Sequence, residues 1–326
     1  MSEDSNKQNP KMGLSPSEER IHEKLRRDLG VTFVQALLKP TTIELMLNAD
    51  GSLWHEELGQ SMKRIGFITP AKAEAAMRTI ASYLKTTVTE LNPILEGILP
   101  LDGSRFAGWL PPIVSAPTFV VRKKASMVYT LDDYVKQGTM TEAQAEIIRS
   151  NVKRHRNIIV SGGTSSGKTT LTNAIILEMV IQNPQERIFI IEDTGEIQCS
   201  AINSVQFYTS LNASMTDLLK TTLRGRPDRI LVGEVRGSEA LDLLDAWNTG
   251  HEGGIATLHA NNAYAGLDRL KSLITRNLAA PKDIEPLIGE AVHCVVHIAK
   301  EKQTRKVQEI LEIQGYQDGR YLTKSV

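Results

Sequence analysis

Residues 162–169 read Gly-Gly-Thr-Ser-Ser-Gly-Lys-Thr, the pattern G-x-x-x-x-G-K-[ST], between the apolar run Ile158–Val160 and a helical run from Thr169 to Val180. No other feature of the chain restricts its fold as much. The pattern demands a buried strand, a tight glycine-bearing loop and a helix that starts at once. Consecutive loop N–H groups then converge at a helix N-terminus, where the dipole favours negative charge. Phosphate is the anion such a loop holds. Gly162, Gly163, Thr164, Ser165, Ser166 and Gly167 form the cradle and Thr170 extends it into the helix. Lys168 offers a point charge to the β/γ-phosphates of ATP, and the Thr169 hydroxyl is placed to coordinate Mg²⁺. A glycine-rich turn matching by chance is the alternative, and it leaves the register of strand, loop and helix unexplained.

The rest of the second half agrees. Short apolar runs at Ile158–Val160, Ile188–Ile191, Ile230–Val232 and Ile255–Leu258 alternate with helical segments. Runs without polar alternation are buried on both faces, as in a mostly parallel sheet between helical layers. Thr141-Glu142-Ala143-Gln144 opens one helix with a capping-box pattern, and Asp318-Gly319 between Gln308–Tyr316 and Arg320–Leu322 signals a hairpin.

The first half reads differently. Residues 1–14 are expected to be a disordered tail. Ser15-Pro16-Ser17-Glu18 starts a helix with stripe residues Ile21, Leu25 and Leu29, ended by Gly30. Ile43, Leu45 and Leu47 alternate as a strand up to the turn at Asp50-Gly51, and a second helix from Thr69-Pro70 buries Ala73, Met77, Ile80 and Leu84. Strands are expected at 94–99, 105–110 and 119–122. The organisation is thus a mixed α+β domain over 15–122, a linker over 123–130 and an α/β domain over 131–326. Two cores suit 326 residues.

Composition narrows the function classes. Lys plus Arg and Asp plus Glu are both 38, a formal net charge of zero, and aromatic residues make up 5%. That is poor material for a nonspecific nucleic-acid surface or a base-stacking channel, so neither a DNA-translocating motor nor direct sequence-specific nucleic-acid binding is expected. From the polar start and the lack of a long apolar stretch, a cytoplasmic chain with peripheral membrane contact is expected. Cys199 and Cys294 lack metal-like spacing and are expected as buried apolar residues.

Three further blocks carry polar residues beside apolar runs. Ile190-Ile191-Glu192-Asp193-Thr194-Gly195-Glu196 ends a strand with three acids, able to hold Mg²⁺ and orient water, or simply forming a solvated turn. Arg229-Ile230-Leu231-Val232-Gly233-Glu234-Val235-Arg236-Gly237 delivers an acid at a strand tip as a Walker B segment does, with Gly-Glu where Asp is usual. Thr249-Gly250-His251-Glu252-Gly253-Gly254 and Thr257-Leu258-His259-Ala260-Asn261 flank another run, so His251 or His259 could sense a γ-phosphate or be satisfied structural residues.

The order and wording of these blocks resemble the type II/IV secretion ATPase superfamily: Walker A, an Asp box Glu192-Asp193-Thr194-x-Glu196, a Walker B ending Gly-Glu, and a His box. Leu223-Arg224-x-Arg226-Pro227-Asp228-Arg229 and Ala246-Trp247-Asn248-Thr249-Gly250-His251 resemble its type IV branch. The resemblance implies a RecA-like P-loop NTPase domain after a smaller α+β N-terminal domain, closing as a homohexameric ring. It implies ATP and Mg²⁺ as ligands, and inner-membrane secretion or conjugation channel proteins as partners. It also implies catalytic roles for Glu234, Glu196, Lys168 and His259, with Thr169, Glu192 and Asp193 at the metal. Arg105 and Arg122 match N-terminal-domain arginines set against the nucleotide; from the sequence alone each also reads as an exposed strand arginine. Ser165 departs from the Gly more usual at its position, and would be strained if that position needs positive φ.

Overall fold

The computed structural model describes residues 15–124, 128–210, 212–301 and 304–325. The expected tail, 1–14, and residues 125–127 of the expected linker lie outside them. The chain divides between Ser126 and Met127 into two compact units.

In the first unit, helix α1 (Pro16–Leu38) begins with the expected capping box: Ser15 Oγ accepts from Glu18 N–H at 3.3 Å and Glu18 Oε2 accepts from Ser15 N–H at 2.8 Å. Gly30 does not end it. Its φ of 84° and ψ of 164° kink the helix, which then resumes to Leu38 and buries Phe33, Ala36 and Leu37. Strands β1 (Thr42–Leu47), β2 (Ser52–Glu57), β3 (Lys63–Phe67), β4 (Ile94–Ile98), β5 (Arg105–Trp109) and β6 (Thr118–Arg122) form an antiparallel sheet, with α2 (Pro70–Tyr83) between β3 and β4 in sequence. The strand order is β3-β2-β1-β6-β5-β4. Leu25, Leu29, Phe33, Leu45, Met77, Ile80, Phe106 and Phe119 share its core. Lys123 belongs with this unit, since its Nζ donates to the Leu37 and Lys39 carbonyls at 2.5 and 2.8 Å.

The second unit starts with α3 (Leu131–Lys136) and α4 (Glu142–Lys153), both opened by capping boxes. It continues with β7 (Ile158–Ser161), α5 (Lys168–Gln182), β8 (Ile188–Glu192), β9 (Ser204–Tyr208), α6 (Met215–Thr222), β10 (Arg229–Val232) and α7 (Glu239–Asn248). Then come β11 (Ile255–Leu258), α8 (Ala263–Ile274), α9 (Ile284–Ala291), β12 (Cys294–Glu301), β13 (Thr304–Gln317) and β14 (Arg320–Ser325). The sheet order is β14-β13-β12-β7-β11-β10-β8-β9. The strands from β12 to β9 pair in parallel, and β13 and β14 extend the β12 edge as antiparallel strands.

Every residue of β7, β8, β10 and β11 is buried, which is why these runs show no polar alternation. One face packs on Leu171, Ile175 and Met179 of α5 with Ala145 and Ile148 of α4; the other packs on Leu243, Trp247, Leu267 and Leu270. Cys294 is fully buried in this core, but Cys199 is only partly covered, a correction to the expectation. No helix among the described residues is long and apolar enough to cross a membrane.

Candidate functional site

Parallel pairing brings the carboxyl ends of β7, β8, β10 and β11 to one edge of the sheet, the edge where open α/β sheets bind ligands. The 162–167 loop follows β7, Glu192 and Asp193 end β8, Gly233-Glu234 follow β10, and His259 follows β11. The expected blocks, separate in sequence, therefore meet.

The loop turns into α5 at Gly167, whose φ is 96°. Ser165 has φ 57°, so its position does need left-handed backbone, and an L side chain there costs roughly 1–2 kcal/mol. A Cβ on Gly162 would stand 2.3 Å from the Ile298 carbonyl, so only glycine lets β7 leave the sheet at this point. Lys168 is buried, and its Nζ donates to the Gly162 and Gly163 carbonyls at 3.0 and 2.8 Å.

From Lys168 a line of polar contacts crosses three strand tips. Nζ lies 3.3 Å from His259 Nδ1, and His259 Nε2 lies 3.0 Å from Glu234 Oε1. Glu234 Oε2 accepts from Arg236 Nη2 at 2.6 Å, and Arg236 Nη1 donates to Asp193 Oδ2 at 3.0 Å. Thr209 closes the line by donating to Asp193 Oδ1 at 2.9 Å. Burial pushes the Glu234 carboxyl up, but Arg236, then His259 and Lys168, outweigh it and hold it below the usual carboxylate range. Burial and the neighbouring Lys168 charge lower His259, which favours the neutral ring. A neutral ring fits its place: Nδ1 accepts from Lys168 and Nε2–H donates to Glu234.

The acids expected at the metal separate. Glu192 is 2% exposed, and its carboxylate accepts from Glu196 N–H at 2.9 Å, Ile197 N–H at 2.8 Å and Gln206 Nε2 at 2.6 Å. Through these bonds it ties the 193–197 turn to the end of β8. Burial raises its pKa against the pull of those bonds. Gly233 is glycine because a Cβ there would stand 2.9 Å from Glu192 Cγ. Asp193 is committed to Arg236 and Thr209. Glu196 is the acid that reaches the loop, its Oε2 accepting from Thr169 Oγ1 at 3.4 Å.

His251 does not join the site. It precedes β11 whereas His259 follows it, so the two histidines lie at opposite ends of that strand. Arg105 and Arg122 lie in the first unit, where β5 and β6 pair them directly, and Glu44 on β1 faces Arg122 with Oε1 3.7 Å from its Nε. Like charges opposed across strands destabilise a sheet unless something anionic joins them.

Nothing in the sequence alone gives Arg236 a role. A charged residue two positions past an acid reads as solvated, and its partner Asp193 is 43 residues away. Only the β8–β10 pairing brings them together.

No group of three or more His, Cys, Asp or Glu among the described residues could hold a metal on its own. Thr169 and Glu196 are hard oxygen donors, and Mg²⁺ commonly takes one or two protein ligands with phosphates and water completing its shell. The residues present therefore fit a nucleotide-bound Mg²⁺.

The family model described as type II/IV secretion system protein matches residues 28–317. The chain is similar to the conjugal transfer protein TrbB of Rhizobium radiobacter, with 47% identity over 308 residues, 94% of this chain and 95% of the relative. Among solved structures it is similar to the VirB11 ATPase of the Brucella suis type IV secretion system, at TM-score 0.50 and 24% identity, covering 91% of this chain and 97% of that one. It is also similar to the Legionella pneumophila ATPase DotB, at TM-score 0.59 and 16% identity, covering 90% and 78%. At those identities the two structures speak to fold alone.

Proposed function

Because this chain belongs to the type II/IV secretion system protein family, we propose that it is an ATPase motor that powers a type IV secretion or conjugative transfer apparatus. Its second unit is a RecA-like P-loop domain on this reading, and six copies close into a ring that works at the cytoplasmic face of the inner membrane beside channel proteins. The observation that carries the proposal is the contact line from Lys168 through His259 to Glu234, which ties a phosphate-loop lysine to an ionised strand-tip acid.

The contacts support the following roles. Loop amides and Lys168 offset charge on the β- and γ-phosphates, the electrostatic stabilisation phosphoryl transfer depends on. Glu234, kept ionised by Arg236, orients the attacking water. His259 couples that acid to Lys168, so a change at the γ-phosphate reaches Glu234 through one ring. Thr169 and Glu196 would hold Mg²⁺, which would supply positive charge to neutralise charge developing on the phosphates. Glu192 keeps the 193–197 turn in place.

Phosphate release from Mg²⁺-ATP with no acceptor added tests the activity, and also separates an ATPase from a P-loop kinase. Light scattering with a non-hydrolysable analogue tests the ring. Steady phosphate release and a nucleotide-stabilised closed oligomer support the proposal. Release only with an added acceptor, or a fully active monomer under every condition, would refute it.

A further inference from the structure

We propose that Arg305 is a positioning residue for the phosphate loop, latching the Ser165–Gly167 turn to β13 and thereby raising affinity for nucleotide phosphate. This deepens the nucleotide-site reading and rests on it. Arg305 belongs to none of the sequence blocks and sits 140 residues from the turn it touches.

The loop contains one residue whose backbone resists its own conformation. Ser165 holds φ 57°, a left-handed geometry that glycine adopts freely and serine does not. Such a residue persists only where its surroundings hold it. Arg305 Nε donates to the Ser165 carbonyl at 3.4 Å. The arginine stem also fills the space beside Gly167, its Cδ 2.9 Å from where a Cβ would stand.

The support beneath Arg305 is firm. Two residues on, Val307 N–H donates to the Thr139 carbonyl at 2.8 Å, and the Val307 carbonyl accepts from Gln144 Nε2 at 3.2 Å. Ile298 on β12 carries the other end of the loop, its carbonyl against Gly162 and its Cδ1 3.6 Å from the Cβ position of Gly167. The β12 and β13 strands thus form the bed on which both ends of the loop rest, and Arg305 is the polar tie. A loop already held in shape spends no binding energy on ordering itself.

A double-mutant cycle between positions 305 and 165 tests this, read by equilibrium affinity for a non-hydrolysable ATP analogue and by amide exchange over 162–168 in nucleotide-free protein. Arg305→Met keeps the stem and removes the donor. It should weaken analogue binding about fivefold, the scale of one hydrogen bond, and speed exchange in the turn. In a Ser165→Gly background, where the turn no longer needs holding, the same substitution should cost less than about twofold. Arg305→Lys keeps the charge without Nε and should behave like Arg305→Met. An equal loss in both backgrounds, or full rescue by lysine, would instead mark Arg305 as a direct phosphate contact and overturn the latch. Unchanged exchange in every variant would overturn it as well. Failure of the wild type to bind any adenine nucleotide would sink the nucleotide-site reading, while the exchange data would still decide the latch.

Discussion

Glu234 Oε1 and His259 Nε2 stand 3.0 Å apart and join the tips of the neighbouring parallel strands β10 and β11. Through that contact the acid that would orient water is one imidazole away from the phosphate-loop lysine. Glu234→Gln keeps the shape and removes the charge, so it should bind ATP normally and turn over at least about 100-fold more slowly. Single-turnover phosphate release beside analogue affinity measures both. If Glu234→Gln is unaffected and Glu196→Gln abolishes turnover, the two acids exchange roles.

Arg236 is the principal counterweight to burial at Glu234, by hydrogen bond and by charge. Arg236→Ala should therefore raise the Glu234 pKa, moving the acid limb of the pH–rate profile to higher pH. Arg236→Lys restores charge without the two-pronged grip on Glu234 and Asp193 and should bring back part of the shift. An acid limb that stays in place would remove Arg236 from the site.

Glu192 offers a test between bracing and metal binding. Glu192→Ala leaves the buried Ile197 amide and the part-buried Glu196 amide without their acceptor, at a cost of about 1–3 kcal/mol for a buried unsatisfied group. Thermal unfolding of nucleotide-free protein should drop by several degrees. A variant with unchanged apo stability that loses only the Mg²⁺ dependence of nucleotide binding would support the metal role instead.

Much of this was legible because the informative residues are local. The parallel strands announced themselves as apolar runs since both their faces are covered, and the P-loop signature located its own strand and helix. Strand β9 escaped notice because it is an edge strand with exposed Ser204, Gln206 and Tyr208. The wholly buried start of β12 follows α9 after only Val292 and His293, with no Gly or Pro to mark the change. Gly30 read as a helix stop because glycine ends helices, but burying Phe33 and Leu37 makes the helix resume. The site residues that stayed hidden, Arg236 and Arg305, act through partners that only sheet pairing delivers. The acids of the 192–196 block look alike in sequence, whereas in the fold Glu192 is buried and Asp193 exposed.

Histidine burial sets a pH dependence of stability. His297 is 3% exposed, its Nδ1 lies 3.0 Å from Ser161 Oγ, and burial lowers its pKa from the ordinary 6.5. A base with a lowered folded pKa binds fewer protons folded than unfolded, so its contribution is complete above about 6.5 and lost as pH falls below that value. Replacing His297 with Gln should flatten the decline in melting temperature between about pH 7 and 5 relative to wild type. Parallel curves for the two proteins would show that His297 takes no part.

The most direct measurement is ATP hydrolysis by Lys168→Ala, with circular dichroism on the same sample. Lys168 Nζ donates to two loop carbonyls and lies beside His259. Its loss should leave the fold intact and abolish phosphate release. A correctly folded Lys168→Ala protein that releases phosphate from Mg²⁺-ATP at near wild-type rate would contradict the assignment of this site.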